Sequence, residues 1–343
     1  MQFTGRSTFV LSLPKKWVEE LHLKAGDQVA LTREYDNSLS ILPITAGPSE
    51  SPNEVTATIL PNESSNTLKR KVVSMYLAGY NMIHIKFKTG RINVELRDAI
   101  REIVRRNLVG TEMIADSSDN ITLQVLLSLP ELSINTAIRR MYLIASSMHK
   151  DAITSLVEHN PDMAKEVIRS DDEVDRFSLY VIRNLVMATQ NGRVLRDMGL
   201  KNPSDCLSYR VAAKSIERIA DHACSIADKA IKLNEKLPKE ALQKIDKMSN
   251  LALSVVGDSV EALLRRDYQL ADKTVDNSEN IRVLEDDALA SIEKIKFNDL
   301  GNVKLALEDI RRTAEYASDI AEAAMNETID EVIEKHSSNH SKQ

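Results

Sequence analysis

Residues 215–230 read SIERIADHACSIADKA, and the spacing of their apolar side chains predicts an amphipathic α-helix. At about 100° per residue, one arc of this helix is apolar. That arc contains Ile216, Ile219, Ala220, Ala223, Ile226 and Ala227. Glu217, Asp221 and Asp228 share a strip on another face. The arc predicts a packing face, whereas the acidic strip needs an explanation of its own.

Two interpretations of this acidic strip stay open. Carboxylates four residues apart destabilise a helix by about 0.2–0.5 kcal/mol, and a hard cation held between them would offset that cost. Alternatively, Lys214, Arg218 and Lys232 neutralise the strip, which is then an ordinary solvated face.

The run from Glu217 to Asp228 resembles the signature of the PhoU family of phosphate-uptake regulators, of the archaeal type. An acidic pair, a histidine and a terminal acid recur at fixed offsets, although Ser225 stands where the family commonly has asparagine. The resemblance implies that E(D)-x-x-x-D motifs bind metal, with Glu217 and Asp221 as principal ligands, Asp228 as a neighbour and Asp172 as a further oxygen donor. Oxygen ligands favour a divalent or trivalent ion such as Mg, Mn, Ca or Fe.

The chain after Pro130 is helical in pattern, and it repeats. Residues 152–157 align with residues 259–264, and the same register sets Asp172 over Glu279. An extra loop, about 191–204, lengthens the first copy. The predicted helices are about 132–159, 162–190, 204–234, 239–266, 268–296 and 299–326. We therefore predict a PhoU-like domain over 131–330, with repeats of about 131–235 and 238–328, followed by a polar disordered tail, 331–343.

The second repeat departs from the motif of the first. Arg311 stands at the position of Glu217, and Tyr316 at that of His222. Glu315 and Asp319 form an acidic pair shifted by one turn, which Arg311 and a neighbouring arginine partly neutralise. Glu315 and Asp319 are therefore secondary candidates for a metal site.

The first 43 residues predict two small β-hairpins separated by a short helix around Trp17. The runs SLPKKW, residues 12–17, and LKAGDQV, residues 23–29, resemble the SpoVT/AbrB family, whose swapped hairpins form an intertwined DNA-binding dimer. Hairpins of this size bury too little surface alone, so we predict a homodimer through residues 1–43. A linker, 44–53, rich in turn-forming residues, follows.

Basic and hydroxyl side chains cluster in this first segment, which has no acidic residue before Glu19. Five of them are candidates for contacts to the phosphates of duplex DNA: Arg6, Ser7, Thr8, Lys15 and Lys16. The alternatives are that Lys15 and Lys16 only solvate a short helix, or that the domain serves dimerisation or partner binding without DNA.

Residues 54–130 predict a small α/β domain. The predicted order is strand 54–60, helix 65–77, strand 82–87, helix 94–108 and a hairpin of 112–114 with 121–125. Arg97, Arg101 and Arg105 form a stripe on the second helix. The stripe is either a solvated face or an auxiliary surface for DNA or another anionic partner.

Composition narrows the functional class. The 343 residues carry a net charge of −6, and 4% are aromatic, which favours helix packing over a large β-sandwich. No uncharged apolar run approaches 18 residues, so no membrane insertion is predicted. Cys206 and Cys224 lie about five helical turns apart, too far for a disulfide within one copy, and we expect reduced thiols in a cytoplasmic protein.

We therefore predict a multidomain, mainly α protein that is not an enzyme and has no catalytic residues. Its predicted function is regulation of phosphate uptake and homeostasis, as a DNA-binding transcription regulator with a metal-binding helical domain for sensing or docking. One alternative is a regulator that never touches DNA and inhibits a phosphate transporter by docking to its components. A carboxylate-metal hydrolase is the minor alternative, because no phosphate loop or catalytic motif of the common kinds occurs.

Overall fold

A computed structural model divides the chain into two compact units, Met1–Asn53 and Glu54–Gln343. It describes residues 2–4, 8–33, 38–43, 53–60, 62–88, 91–126, 132–293 and 298–340. The predicted linker, 44–53, falls outside the described residues apart from Asn53, and so does the predicted boundary near residue 130.

The first unit consists of two hairpins and one short helix. Its elements are β1 (Gln2–Thr4), β2 (Thr8–Val10), α1 (Lys15–Glu20), β3 (Val29–Arg33) and β4 (Leu39–Pro43). Strand β1 pairs antiparallel with β2, and β3 pairs antiparallel with β4. Gly26 makes the turn before β3 with φ +97°, a conformation that favours glycine. Helix α1 buries no side chain, and Leu31 is 61% exposed. This unit therefore leaves much of its apolar surface in water.

The second unit begins with an α/β layer. Its elements are β5 (Glu54–Ile59), α2 (Ser65–Leu77), β6 (Met82–Phe87), α3 (Val94–Arg106), β7 (Thr111–Asp116) and β8 (Asn120–Val125). The sheet order is β5-β6-β8-β7, with β5 parallel to β6 and the other neighbours antiparallel. Ser64 and Asn93 cap α2 and α3 by accepting backbone N–H bonds. The predicted succession of strands and helices is confirmed.

Alternation along the strands creates the core of this layer. Ile83, Ile85, Ile121 and Leu123 are fully buried in one cluster with Val72 of α2. The opposite face of the sheet is more polar, and there His84 Nδ1 lies 3.1 Å from Thr122 Oγ1. The layer therefore packs on one side only.

A helical bundle completes the second unit. Its helices are α4 (Ile134–Glu158), α5 (Pro161–Gln190), α6 (Gly192–Asp197), α7 (Asp205–Lys232), α8 (Lys239–Arg265), α9 (Tyr268–Ser278), α10 (Asn280–Ile292) and α11 (Leu300–His340). The apolar arc predicted for residues 215–230 is fully buried along α7. It packs against α4, α5 and α11, so α7 lies at the centre of the bundle.

The two repeats share their capping chemistry. His159 and Arg266 end α4 and α8 in the same left-handed conformation, each with φ +56°. The next residues, Asn160 and Asp267, cap α5 and α9 through their side-chain oxygens. These pairs stand at the register that the sequence alignment predicts for the duplication.

Three helix predictions need correction. The extra loop of the first repeat contains α6, because Asn191 caps it by accepting from the N–H groups of Arg193 and Val194. The predicted helix 268–296 is divided at Glu279, where the hydroxyls of Thr274 and Ser278 bond backbone carbonyls of their own helix.

The third correction concerns the tail. The chain from residue 331, predicted to be disordered, continues α11 as far as His340. Glu331 is held at this point by Lys201 Nζ at 2.8 Å and by Arg266 Nε at 3.3 Å. These ion pairs come from residues far away in the sequence and fix Glu331 at the point where the predicted tail begins.

Arg183 of α5 joins the α/β layer to the bundle. It is 4% exposed, and it donates to the carbonyls of Tyr76 and Gly79 and, at 2.7 Å, to Asn81 Oδ1. Its guanidinium also stacks over the Tyr76 ring at 4.8 Å. A buried arginine therefore satisfies the carbonyls at the C-terminal end of α2.

Within the described residues, no helix is both long and apolar enough to cross a membrane.

Candidate metal centre

The predicted ligands on α7 have different surroundings. Glu217 is half-buried and Asp221 is exposed. Lys214 Nζ lies 2.6 Å from Glu217 Oε1, and Lys232 Nζ lies 2.5 Å from Asp228 Oδ2. The ion pair with Lys232 satisfies Asp228, whereas Asp221 forms no ion pair within the part of the chain that the structure describes.

Helix α5 brings two further carboxylates toward this strip. Asp171 and Asp175 are four residues apart, and the negative charges of Glu217 and Asp221 raise the pKa of each. Asp172, the residue that the sequence suggested, lies instead near α3, with Arg106 Nη1 at 3.7 Å from its Oδ2. One residue turns a helical side chain by about 100°, so Asp171 and Asp172 face different neighbours. We call Asp171, Asp175, Glu217 and Asp221 the acid quartet.

The pKa values of three quartet members are raised. Burial, followed by repulsion from Asp171, Glu217 and Asp221, raises the pKa of Asp175 to about 7. Burial and the charges of Asp221 and Glu217 raise the pKa of Asp171 to about 6. Burial and then Glu217 also raise the pKa of Asp221. The quartet is thus a half-buried site where negative charge is costly unless a cation or protons compensate it.

One carboxylate oxygen of the quartet has no hydrogen-bond partner in the described part of the chain. This oxygen is the buried Asp171 Oδ1. Carboxylate oxygens are ligands that Mg²⁺, Ca²⁺ and Mn²⁺ prefer. However, no group of three or more His, Cys, Asp or Glu side chains in the described part of the chain stands ready-made to hold a metal ion. Metal binding therefore stays a prediction.

Cys224 lies beside the quartet but is not poised as a ligand. Burial, reinforced by the nearby charges of Asp171, Asp221 and Asp175, raises the pKa of this thiol to about 12. Its Sγ donates to the Val167 carbonyl at 3.9 Å and also lies within reach of the Asp171 carboxyl group. Both cysteines are free thiols, as predicted.

His222 points away from the quartet and toward the second repeat. Its Nδ1 lies 2.7 Å from Asp309 Oδ1, and its ring stacks on Tyr316 at a centroid distance of 5.5 Å. Lys229 Nζ completes the group at 3.4 Å from Asp309 Oδ2. Asp309 was not among the predicted site residues, and its position within the buried stripe of α11 was the one signal for it in the sequence.

Arginines occupy the corresponding part of the second repeat. Arg311 Nη1 lies 2.5 Å from Glu315 Oε1, and Arg311 Nε lies 2.8 Å from Glu285 Oε2. Arg282, which aligns with Asp175, approaches Glu315 at 3.5 Å. Burial and then Glu322 raise the pKa of Asp319, which helps to line a cavity of about 520 Å³. Glu315 is therefore committed to ion pairs, and the two repeats are electrostatically unlike.

The predicted DNA-contact residues are described only in part. Lys15 and Lys16 project from α1 with side chains 89% exposed, at 3.6 and 3.8 Å from Glu19 and Glu20. Thr8 belongs to β2, and its side chain lies outside the described residues, as do Arg6 and Ser7 entirely. The two lysines are open to solvent and only weakly paired.

The arginine stripe of α3 is largely neutralised. Arg97 Nη2 lies 3.4 Å from Asp116 Oδ1, and Arg101 Nη2 lies 3.0 Å from Asp116 Oδ2. These contacts tie α3 to the end of β7 and favour the solvated-face interpretation.

The fold is a duplicated helical bundle, α4–α7 followed by α8–α11, with the acid quartet between α5 and α7 of the first repeat. The PhoU domain model matches residues 138–230 and 245–324, just over half of the chain. The protein belongs to the PhoU domain family. Residues 2–49 also match the model of "Antidote-toxin recognition MazE, bacterial antitoxin", which supports the predicted swapped-hairpin type of N-terminal domain.

Curated relatives cover the same helical region. The chain is 26% identical over 161 residues to "Phosphate-specific transport system accessory protein PhoU homolog" of Aquifex aeolicus, spanning 46% of this chain and 69% of that protein. It is 26% identical over 198 residues to "Phosphate-specific transport system accessory protein PhoU homolog 1" of Thermotoga maritima, spanning 54% and 80%.

Two solved structures are similar to part of the chain. PhoU from Pseudomonas aeruginosa is 20% identical, with a TM-score of 0.49 over 57% of this chain and 96% of that one. The phosphate transport system regulatory protein PhoU from Streptococcus pneumoniae is 19% identical, with a TM-score of 0.49 over 57% and 92%.

Proposed function

We propose that this protein regulates phosphate uptake, with a helical domain that binds a metal ion and an N-terminal unit that dimerises on duplex DNA. The observation that carries the proposal is the joining, in one chain, of two PhoU repeats with a MazE-like hairpin unit. The curated relatives of the helical region are named accessory proteins of phosphate-specific transport. A hairpin unit ahead of such a domain suits a regulator that acts at promoters.

The acid quartet supports the metal part of the proposal. Asp171, Asp175, Glu217 and Asp221 would hold the ion, because they crowd negative charge at one place and leave a buried carboxylate oxygen without a partner. A bound divalent or trivalent ion would supply compensating positive charge and link α5 to α7. Asp228, Asp172, Glu315 and Asp319 fall outside this set, and the first three already have ion-pair partners.

Exposed lysines and exposed apolar side chains support the DNA part. Lys15 and Lys16 offer charges to phosphate groups, and phosphate contacts give affinity that falls steeply with salt. Val10, Leu31 and Leu39 are between 46% and 61% exposed, surface that a second copy would cover. A two-fold dimer would double the basic residues and read paired half-sites.

Docking to transporter components without DNA contact is the second candidate function. It is favoured by the net charge of −6 and by the pairing of both lysines with acidic neighbours on α1. We set hydrolysis aside, because His222 points toward Asp309 and Tyr316 and away from the quartet, where a general base would have to act.

The discriminating experiment measures duplex DNA binding by the full chain at several salt concentrations. Arg6→Ala with Lys15→Ala should weaken binding and reduce the salt slope, whereas Lys24→Ala, on an exposed turn, should act as the matched control. A double variant that binds DNA like wild type would refute the DNA role. Mapping of genomic occupancy in phosphate-rich and phosphate-poor cells then separates the two functions, since docking alone predicts co-purified transporter subunits and no discrete promoter peaks.

A further inference from the structure

The two edges of the four-stranded sheet are protected very differently. Edge strand β7 carries a bulge between Met113 and Ala115, and its last residue, Asp116, is bound by two arginines of α3. Both features discourage pairing with another chain. Edge strand β5 reads EVTATI and pairs with β6 over all six residues without a register shift. It contains no lysine, proline or bulge, so nothing in its sequence blocks a further strand.

The free side of β5 exposes backbone hydrogen-bonding groups. The Ile59 carbonyl accepts from Lys88 N–H on the β6 side, so the groups of Ala57 and Val55 point the same way. The N–H and C=O groups of Thr56 and Thr58 therefore point outward. No described residue pairs with them, and both side chains are exposed. These outward groups form a template for antiparallel pairing.

A groove beside this edge has room for the side chains of an added strand. It has a volume of about 520 Å³ and lies between β5 and α2. Ala57 and Thr58 form one wall, and the other includes Arg70, Lys71 and Met75. Lys71 Nζ is neutralised at 2.7 Å by Glu63, whereas the guanidinium of Arg70 donates to the Thr67 hydroxyl at 3.3 Å and keeps its charge in the groove.

We propose that β5 pairs antiparallel with β5 of a second copy of this chain about a two-fold axis through Ala57. In this register Thr56 faces Thr58 of the other copy, and the two residues exchange two backbone hydrogen bonds. The two-fold axis repeats this pair, so every outward N–H and C=O group of Thr56 and Thr58 has a partner. Ala57 faces its own equivalent, where a small side chain permits close approach. The two sheets become one continuous eight-stranded sheet, and such an isologous contact is closed by its symmetry.

A second copy of this chain is the expected partner at the β5 edge, because the N-terminal unit would hold two copies together. Only ten residues, 44–53, separate β4 from β5, a reach of at most about 35 Å when fully extended. This step rests on the proposed dimerisation of the N-terminal unit, which would tether two β5 strands at high effective concentration. A short interface is then sufficient, because the second association is intramolecular.

The test is disulfide trapping in the full-length chain. Ala57→Cys should convert the chain to a disulfide-linked dimer under mild oxidation, because Ala57 lies on the two-fold axis. Thr56→Cys is the matched control, since the register sets it opposite residue 58 and away from its own equivalent. Wild type shows whether Cys206 and Cys224 contribute. Equal trapping of both variants, or trapping of neither, would overturn the register.

A second variant tests the edge itself. Thr58→Pro removes an outward N–H, a substitution that an edge strand tolerates, and it should abolish trapping when combined with Ala57→Cys. An unchanged melting temperature shows that the fold is kept. A chain that is dimeric by light scattering but untrapped at Ala57→Cys retains the N-terminal dimer and loses the β5 pairing. A full-length chain that is monomeric by light scattering would refute both the N-terminal dimer and the β5 pairing. Binding of an acidic peptide at β5 of such a monomer would show that the edge pairs with a different partner.

Discussion

At the scale of single residues, the acid quartet places four carboxyl groups close enough to repel one another. Two belong to α5 and two to α7, and burial raises the pKa values of Asp171 and Asp175. Lys214 offsets only part of this charge, through Glu217. The uncompensated remainder is the physical reason to expect either a bound cation or bound protons at this site.

Removing one carboxylate distinguishes a metal site from a solvated face. If a cation is bound, Glu217→Ala or Asp221→Ala lowers the metal-loaded melting temperature and abolishes its dependence on added Mg²⁺, Ca²⁺ or Mn²⁺, because a ligand that binds only the folded state stabilises it. If no cation binds, the same changes relieve repulsion, and the melting temperature holds or rises slightly. Asp172→Ala is the control, since its carboxylate faces Arg106. Wild-type melting that ignores chelator and every divalent ion would refute the metal hypothesis.

His149 is a second residue whose environment controls its charge. It is fully buried in α4, with Nε2 at 3.0 Å from Ser249 Oγ of α8 and with no partner for Nδ1 among the described residues. Burial lowers the pKa of His149 to about 4, partly offset by the charge of Asp309 on α11, while His222 on α7 lowers it further. The protein therefore folds around a neutral imidazole.

This burial predicts a loss of stability in mild acid. The pKa of His149 in the folded state lies below the unfolded value of about 6.5. The stability that the neutral imidazole contributes is therefore complete above pH 6.5 and is lost as the pH falls toward 4. We expect wild type to lose roughly 2 kcal/mol relative to His149→Gln between pH 7 and pH 5. Urea unfolding at each pH measures this difference, with His84→Gln as a control in the sheet. Parallel pH profiles for wild type and His149→Gln would contradict the prediction.

At the scale of elements, the two repeats differ in the charged groups between their helices. In the second repeat the guanidinium of Arg311 bridges Glu285 of α10 and Glu315 of α11. In the first repeat, the carboxylates of α5 and α7 have only Lys214 of α7 as a partial counter-charge, and we propose a metal ion there. A side-chain cation makes the second link permanent, whereas a dissociable ion would make the first responsive to conditions.

Arg183 on α5 makes the α/β layer dependent on the bundle. Arg183→Met should orphan the carbonyls of Tyr76 and Gly79, each at a cost of about 1–3 kcal/mol, because buried acceptors lose a charged donor. Hydrogen exchange should then show α2 and α3 opening before α4 and α7. Arg176→Met, exposed on the same helix, should leave exchange unchanged. Unaltered protection of α2 in Arg183→Met would show that the junction does not couple the layers.

At the scale of the whole molecule, the two repeats depend on each other for burial. The buried faces of α7 and α11 pack together, and α4 also contacts α8. Val303, Ile310 and Ala314 on α11 are fully buried. Separating the repeats would expose this surface to water, at a free-energy cost of about 25 cal/mol per Å² of apolar area.

A fragment of residues 132–340 should therefore fold as a helical domain, whereas residues 132–235 or 238–340 alone should self-associate or aggregate. The longer end keeps Glu331 with its partners Lys201 and Arg266. Circular dichroism and light scattering measure the outcome. A monomeric half that melts cooperatively would contradict the prediction.

Sequence pattern was sufficient for the features that depend on neighbours along the chain. Periodicity located the buried arc of α7 and the helix Ser65–Leu77, and internal alignment located the duplication. These predictions succeed because the phase of a helix is a local property of the sequence. Lys232 was likewise identified as a partner of Asp228, since residues four apart on a helix are neighbours.

Tertiary structure alone decided which faces meet. Helix phase separates Asp171 from Asp172, but only the packing of α5 on α7 selects Asp171 and Asp175 for the quartet and leaves Asp172 to Arg106. His222 pairs with Asp309, 87 residues away, because α11 crosses α7. The open edge of β5 likewise follows from strand order, and the contacts of Glu331 with Lys201 and Arg266 follow from the packing of α11. Contacts between distant segments depend on how whole elements pack, and local pattern does not contain that information.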